Sequence, residues 1–332
     1  MEGRRFTVSK YMLGIDLGGT NIRVGLFDEE INLIRKQSVK TPKANYQVVI
    51  RSMVDLSLNI MQRESVAIKD ITALGIAAPG SVNNNTGKVL YANNLGWTDV
   101  SLRNLLLRDL PLPIYLENDA NVAALAEAWL GANRGMLNSL VITLGTGVGS
   151  GVLTEGKILH GNNYAGGELG HMVVIAEGEA CTCGRRGCWE AYSSAPSLLR
   201  MAKAAMQDNE TSALWEACEH DLNKLLPEQV FDLSFKGDAV AKAVIERYMF
   251  VLKQAVVNLV NIFQPEQIAI GGGIGGQGER LTKPLQMAVN IESYGSRYLR
   301  TPKVVSASLG NDAGLYGAAL LPKYYEGGIH IG

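Results

Sequence analysis

The sequence predicts an α/β protein built from two similar halves, each a sheet flanked by helices. Three observations lead there. Short apolar runs of strand length alternate with stretches of helical apolar period. A tight glycine turn between two strands occurs twice, as Gly18-Gly19-Thr20 after Leu17 and as Gly145-Thr146-Gly147 after Leu144. Finally, Glu117-Asn118-Asp119-Ala120-Asn121, at a helix start, is echoed by Leu309-Gly310-Asn311-Asp312-Ala313-Gly314.

In chain order, Tyr11 to Leu17 is an apolar strand, Ile22 to Phe27 a second and Ile31 to Val39 a third, together an antiparallel meander. The first glycines thus lie between strands, which excludes the dinucleotide fingerprint, where a helix follows directly. Val48 to Met61 carries a helical period, and Ile71 to Ala77 is a buried strand ending in Ala78-Pro79-Gly80. Ile114 to Leu116 is a strand, and Asn118-Asp119 opens the helix Ala120 to Leu130, closed by Gly131. A second round starts with strands Leu140 to Leu144 and Gly149 to Leu153. A long helical region from Ser194 to Phe263 breaks at Leu226-Pro227 and at Lys236-Gly237. Ile268 to Ile270 leads into Gly271-Gly272-Gly273, and Val304 to Ala307 leads into the last turn and a final helix. The expected division is residues 1–118 with a C-terminal helix at about 312–332, and a larger domain at 119–311. Two glycine loops facing each other across a central cleft would clasp a triphosphate through backbone N–H groups. Gly151 to Lys157 nearly spells a P-loop, but Ile158 stands where Ser or Thr must reach a metal, so Thr154-Glu155-Gly156-Lys157 reads as a hairpin turn.

Composition narrows the function. A chain of 332 residues with a formal net charge of −1 lacks the basic excess for a general grip on nucleic acid or an anionic membrane. No apolar run reaches membrane-spanning length, and the N-terminal stretch carries no leader pattern. Three of the four cysteines, Cys181, Cys183 and Cys188, fall within eight positions, with His171 just upstream. Three thiolates and an imidazole make a closed tetrahedral shell for structural Zn²⁺. Cys218, alone in an apolar helical pattern, reads as core. The cysteine usage fits a reducing cytoplasm.

Asp16-Leu-Gly-Gly-Thr-Asn21, Glu117-Asn-Asp-Ala-Asn121, Leu144-Gly-Thr-Gly-Val-Gly149, Gly167-Glu-Leu-Gly-His171 and the cysteine run to Glu190 occur in that order. In this combination, from Met12 to about Leu321, the chain resembles the ROK family (repressor, ORF, kinase), and within it the glucokinase-like members. The resemblance implies an actin-like, ribonuclease-H-like ATPase fold and phosphorylation of a hexose by Mg-ATP. It assigns Gly18, Gly19, Thr20, Asn21, Thr146 and Gly147 to the ATP phosphates, Asp16 to Mg²⁺, and Gly272 and Gly273 to the adenosine side. Asp119 matches the residue that takes the proton from the attacking sugar hydroxyl. Gly80, Asn94, Asn118, Glu168, His171 and Glu190 match the sugar grip, His171 also holding the metal. Trp97 reads equally as packing or sugar contact. Three positions depart from the common pattern: Asn83, Ser150 (a frequent glycine) and Gln264.

The sugar expected is glucose, with N-acetylmannosamine, fructose, allose and N-acetylglucosamine as alternatives. A sugar-responsive repressor is the competing class, but only fifteen residues precede Asp16, too few for a DNA-reading module. A homodimer or homotetramer is expected from the resemblance.

Overall fold

A computed structural model describes residues 10–327. The first nine residues of the N-terminal stretch, and the last five, which the expected domain division includes, lie outside the described residues. The chain divides into two compact units.

The first unit comprises residues 10–130, 156–166 and 311–327. Its strands are β1 (Tyr11–Leu17), β2 (Asn21–Phe27), β3 (Leu33–Lys40), β4 (Ile71–Ala78), β5 (Ser81–Asn83), β6 (Lys88–Ala92), β7 (Trp97–Val100) and β8 (Ile114–Asn118). Its main sheet runs β3-β2-β1-β4-β8. β1 pairs antiparallel with β2 and parallel with β4, and β4 pairs parallel with β8. β5, β6 and β7 form a separate small antiparallel sheet.

The period of two along β1 sets what each face meets. Leu13, Ile15 and Leu17 join a core with α1 (Tyr46–Arg63) and α2 (Leu102–Leu106). Met12 joins Phe27 and Ala77 in a second core with α3 (Asp119–Trp129) and the C-terminal helix Ala313–Gly327. Asp16 shares the register of Met12 and therefore faces that C-terminal helix. The sequence boundary at 118 falls just before α3, yet α3 belongs to the first unit. The reason is packing, since Val122 and Leu125 are buried with Leu315 and Ala318.

The second unit comprises residues 131–155 and 167–310. β9 (Ser139–Leu144) and β10 (Val148–Thr154) make an antiparallel hairpin. Strand Gln267–Gly271 pairs parallel with β9, and Lys303–Ser306 parallel with Gln267–Gly271. The opening pattern of the first unit is repeated: a hairpin, then parallel strands. Helix Ala239–Phe263 is the packing centre for helices 195–207, 227–236 and 279–292. Tyr248 is fully buried on it and donates to the Ser193 carbonyl at 2.9 Å.

Some sequence expectations change. The region 194–263 has a third interruption across 208–226, where only Leu214–Ala217 is α-helical, because Asp208-Asn209-Glu210-Thr211-Ser212 offers no apolar period. Gly272–Gly275 is a short helical turn, not a loop. The segment 279–292 is a helix the sequence reading did not place. Glu155 and Gly156 have φ of 51° and 72°, the paired positive values of a type I′ turn, so the near-P-loop is a turn. Gln264 is the left-handed C-cap of helix 239–263, with φ 46°. Cys218 is fully buried. Among the described residues, no helix is long and apolar enough to cross a membrane.

Candidate functional site

In the first unit, the β1–β2 turn presents Gly19 and Thr20 exposed, with Gly18 and Asn21 half-buried. The turn closes through Gly18 N–H to the Asn21 carbonyl at 2.9 Å. Thr41, at the end of β3, braces it from outside. Its hydroxyl donates to the Gly18 carbonyl at 2.6 Å and its N–H to the Thr20 carbonyl at 2.8 Å. Asn94 lies against the same turn, its Cβ 3.6 Å from where a side chain at Gly19 would start. A sugar candidate and a phosphate candidate are therefore neighbours.

Asp16 sits at the end of β1, largely buried, with its carboxylate 3.5 Å from Arg23 Nη1 and against Gly314. Burial raises it to about 6, Arg23 partly offsets this, and Asp312 adds to it.

Asn118 and Asp119 divide two tasks. Asn118 is the N-cap of α3, with its Oδ1 accepting from Ala120 N–H at 2.9 Å and Asn121 N–H at 3.1 Å. Its Nδ2 donates to the Gly80 carbonyl at 3.0 Å. Asp119 is the first helical residue, not the cap, and is exposed, with Oδ1 accepting from Ala120 N–H at 2.8 Å. Gly80 has φ 82°, and a Cβ there would collide with the Tyr91 carbonyl, so only glycine fits. Gly80, Asn118 and Asp119 are thus one rigid corner.

Under this corner lies a cluster whose role the sequence reading missed. Glu117 is buried in β8, and its Oε1 accepts from Asn118 N–H at 2.8 Å and Asn121 Nδ2 at 3.0 Å. Its Oε2 lies 2.6 Å from His160 Nε2 and accepts from Tyr325 Oη at 2.7 Å. A buried carboxylate with this many partners is affordable and stiff. The available signal was an acid at the end of an apolar strand; nothing local pointed to His160 or Tyr325.

In the second unit, the β9–β10 turn exposes Thr146, and Gly145 N–H closes it on the Gly147 carbonyl at 3.0 Å. Glu190 reaches this turn. Its Oε2 accepts from Val148 N–H at 3.0 Å, and a Cβ at Gly147 would collide with the same oxygen. Its Oε1 accepts from Thr182 Oγ1 at 3.2 Å and lies 3.8 Å from Cys181 Sγ. Glu190 therefore links the phosphate-loop candidate to the cysteine loop, a connection the spacing did not reveal. Gly272 packs on Leu144, with a Cβ there 2.5 Å from the Leu144 carbonyl, which brings Gly272 and Gly273 beside the same turn.

His171, Cys181, Cys183 and Cys188 converge, all four ligand atoms within 4.8 Å of one another. Cys183 and Cys188 Sγ are 3.7 Å apart, and Cys181 Sγ is 3.6 Å from His171 Nδ1. Two thiolates on one tetrahedral zinc stand about 3.8 Å apart, whereas a disulfide needs about 2.05 Å. The residues fit a zinc ion and not a disulfide. Glu168 reaches solvent, but partial burial of its carboxyl raises it above the usual carboxylate range. His171 pulls it back and Glu190 pushes it further up. Trp97 is 3% exposed and packs edge-on to Tyr46, which makes it core.

The ROK family pattern matches residues 12–324. The chain belongs to the ROK family. A glucokinase from Halalkalibacterium halodurans is 36% identical over 97% of this chain and 98% of its own. The glucokinase of Thermotoga maritima is 35% identical over 96% and 98%. Among solved structures, a ROK family glucokinase from Streptomyces griseus in complex with glucose and AMPPNP has a TM-score of 0.81 at 30% identity, covering 94% of this chain and 99% of that one. The ROK fold is the actin-like ATPase fold, as the sequence resemblance implied.

Proposed function

We infer that the protein is an ATP-dependent sugar kinase and that its sugar is glucose. The observation that carries this reading is the corner at Asp119. An exposed carboxylate is held at the first position of a helix whose cap is tied to Gly80 and whose base rests on buried Glu117. A general base must be reachable and fixed, and this one is both.

In the reaction, a glucose hydroxyl attacks the γ-phosphorus of ATP. The new P–O bond forms as the bond to the β–γ bridging oxygen breaks, ADP leaves, and the hydroxyl proton passes to Asp119. Backbone N–H groups of Gly18, Gly19, Thr20 and Asn21, with Thr146 and Gly147, receive the phosphates. Gly272 and Gly273 lie on the adenosine side. Asp16 would hold Mg²⁺, which would supply positive charge against that of the phosphates. Gly80, Asn94, Asn118, Glu168, His171 and Glu190 hold the sugar. His171, Cys181, Cys183 and Cys188 would hold Zn²⁺ as a structural ion, which would fix the orientation of the imidazole. With Nδ1 on the cysteine side, Nε2 is the ring nitrogen assigned to the sugar.

The protein acts on small molecules, not nucleic acid, in the cytoplasm, as a homodimer or homotetramer. In the second unit, Met287, Ile291 and Tyr294 are 63%, 73% and 80% exposed along one helix and its exit, which supports an assembly face. The deciding experiment measures ADP release from ATP with a panel of hexoses and N-acetylhexosamines. Glucose should give the highest kcat/KM. Preference for an N-acetylhexosamine would overturn the sugar, and no turnover with any of them would overturn the class.

A further inference from the structure

We propose that Ser150 is a positioning residue of the sugar site, acting by clasping the backbone turn that carries Glu168. The inference rests on Glu168 as a sugar ligand.

Glu168 has φ −72° and ψ 59°, the centre of an inverse γ-turn, and the turn's own bond runs from Leu169 N–H to the Gly167 carbonyl at 2.7 Å. Such a turn has a single weakly directed bond and opens easily on its own. Here the Ser150 hydroxyl bridges both ends. It donates to the Gly167 carbonyl at 2.5 Å and accepts from Leu169 N–H at 3.1 Å. Ser150 lies within β10 and is 7% exposed, so the clasp is shielded from competing water. The turn is also pressed against the strand, since a Cβ at Gly170 would collide with the Val148 carbonyl. Directly after it comes the 3₁₀ turn Leu169–His171, so one hydroxyl sets the origin of both Glu168 and His171. The residue at 150 is also one of the departures from the family pattern, and glycine there has no hydroxyl to offer. β10 thus does two things: its first residues follow the phosphate turn, and its third residue fixes the sugar-side turn.

The test uses the whole chain with its metal. Calorimetry gives the Kd for glucose and for a non-hydrolysable ATP analogue, and amide exchange is read at Leu169. Ser150→Ala should raise the glucose Kd about tenfold, leave the analogue Kd within about twofold, and speed Leu169 exchange about tenfold. Ser150→Thr, which keeps the hydroxyl, should stay near wild type in all three. Should Ser150→Ala not fold, Ser150→Gly removes the same group. An unchanged glucose Kd in the hydroxyl-less variant overturns the proposal. So does an equal loss for the nucleotide analogue, or a threonine variant as weak as the alanine one. A wild-type protein that binds no glucose sinks the sugar reading instead; Leu169 exchange then judges the clasp alone, and no change there sinks it too.

Discussion

The two glycine turns occupy the same place in their sheets and obtain their negative charge differently. The β1–β2 turn has a carboxylate in its own strand, Asp16, raised by burial and set against Arg23 and Gly314. The β9–β10 turn has Thr143 and Leu144 in the corresponding strand end and takes its carboxylate from Glu190, 42 residues beyond the Val148 that it binds. Asp16 is set against Arg23 and Gly314, and Glu190 is engaged with Val148 N–H and Thr182. One turn geometry thus serves two ends. In the first unit the carboxylate belongs to the strand that leads into the turn, and in the second it ties the turn to the cysteine loop.

That contrast can be broken most sharply at Asp119. Asp119→Asn should cut kcat by about 10²–10⁴-fold while the glucose Kd stays near wild type. Turnover near normal would remove the chemistry from the first unit. Next is Asp16→Asn, expected to lower kcat/KM about 10²-fold. In the wild type, protonation of Asp16 should give kcat/KM an acid limb near pH 6, falling as pH falls, and the variant should lose that limb. The sign for stability is opposite. A carboxyl raised from 3.8 to about 6 on folding contributes stability that is full below pH 3.8 and lost as pH rises through about 6. Asp16→Asn should therefore melt no lower than wild type at pH 7, as calorimetry would record; a large drop would make Asp16 structural.

The second unit should respond more mildly and on two substrates at once. Cys183→Ser, or chelation, should strip the metal, measured by elemental analysis, and raise the glucose KM about tenfold. Through Glu190 the ATP KM should move as well; unchanged metal content would refute the ligand set. The smallest effect is expected for Gly147→Ala, which pushes the Glu190 carboxylate aside and should raise the ATP KM about fivefold. A loss confined to glucose would show that Glu190 serves the sugar alone.

Much of this was legible because the signals were local. Alternation broken by Gly18-Gly19 and by Gly145-Thr146-Gly147 announced both hairpins, and three cysteines in eight positions announced the cluster that His171 completes. Asn118-Asp119 announced a helix start, with Asn118 the cap and Asp119 the first helical residue. What stayed hidden was short or distant. β5, β6 and β7 have 3, 5 and 4 residues, too few for a period to emerge. Helix 279–292 has Pro284 inside and apolar Met287 and Ile291 on its exposed side, which blur its period, and Gly272–Gly275 is made of residues that usually end helices. Glu117 meets His160 and Tyr325 from 43 and 208 positions away, and no window along the chain contains both.

That last contact has a consequence for biogenesis. The anchor beneath the Asn118-Asp119 corner is completed by a tyrosine translated 208 residues after the carboxylate it joins. A chain emerging from the ribosome can fold its first hairpins early, yet the floor of that corner stays unfinished until the closing helix arrives. The Tyr325 contact to Glu117 cannot form on a nascent chain that still lacks that helix.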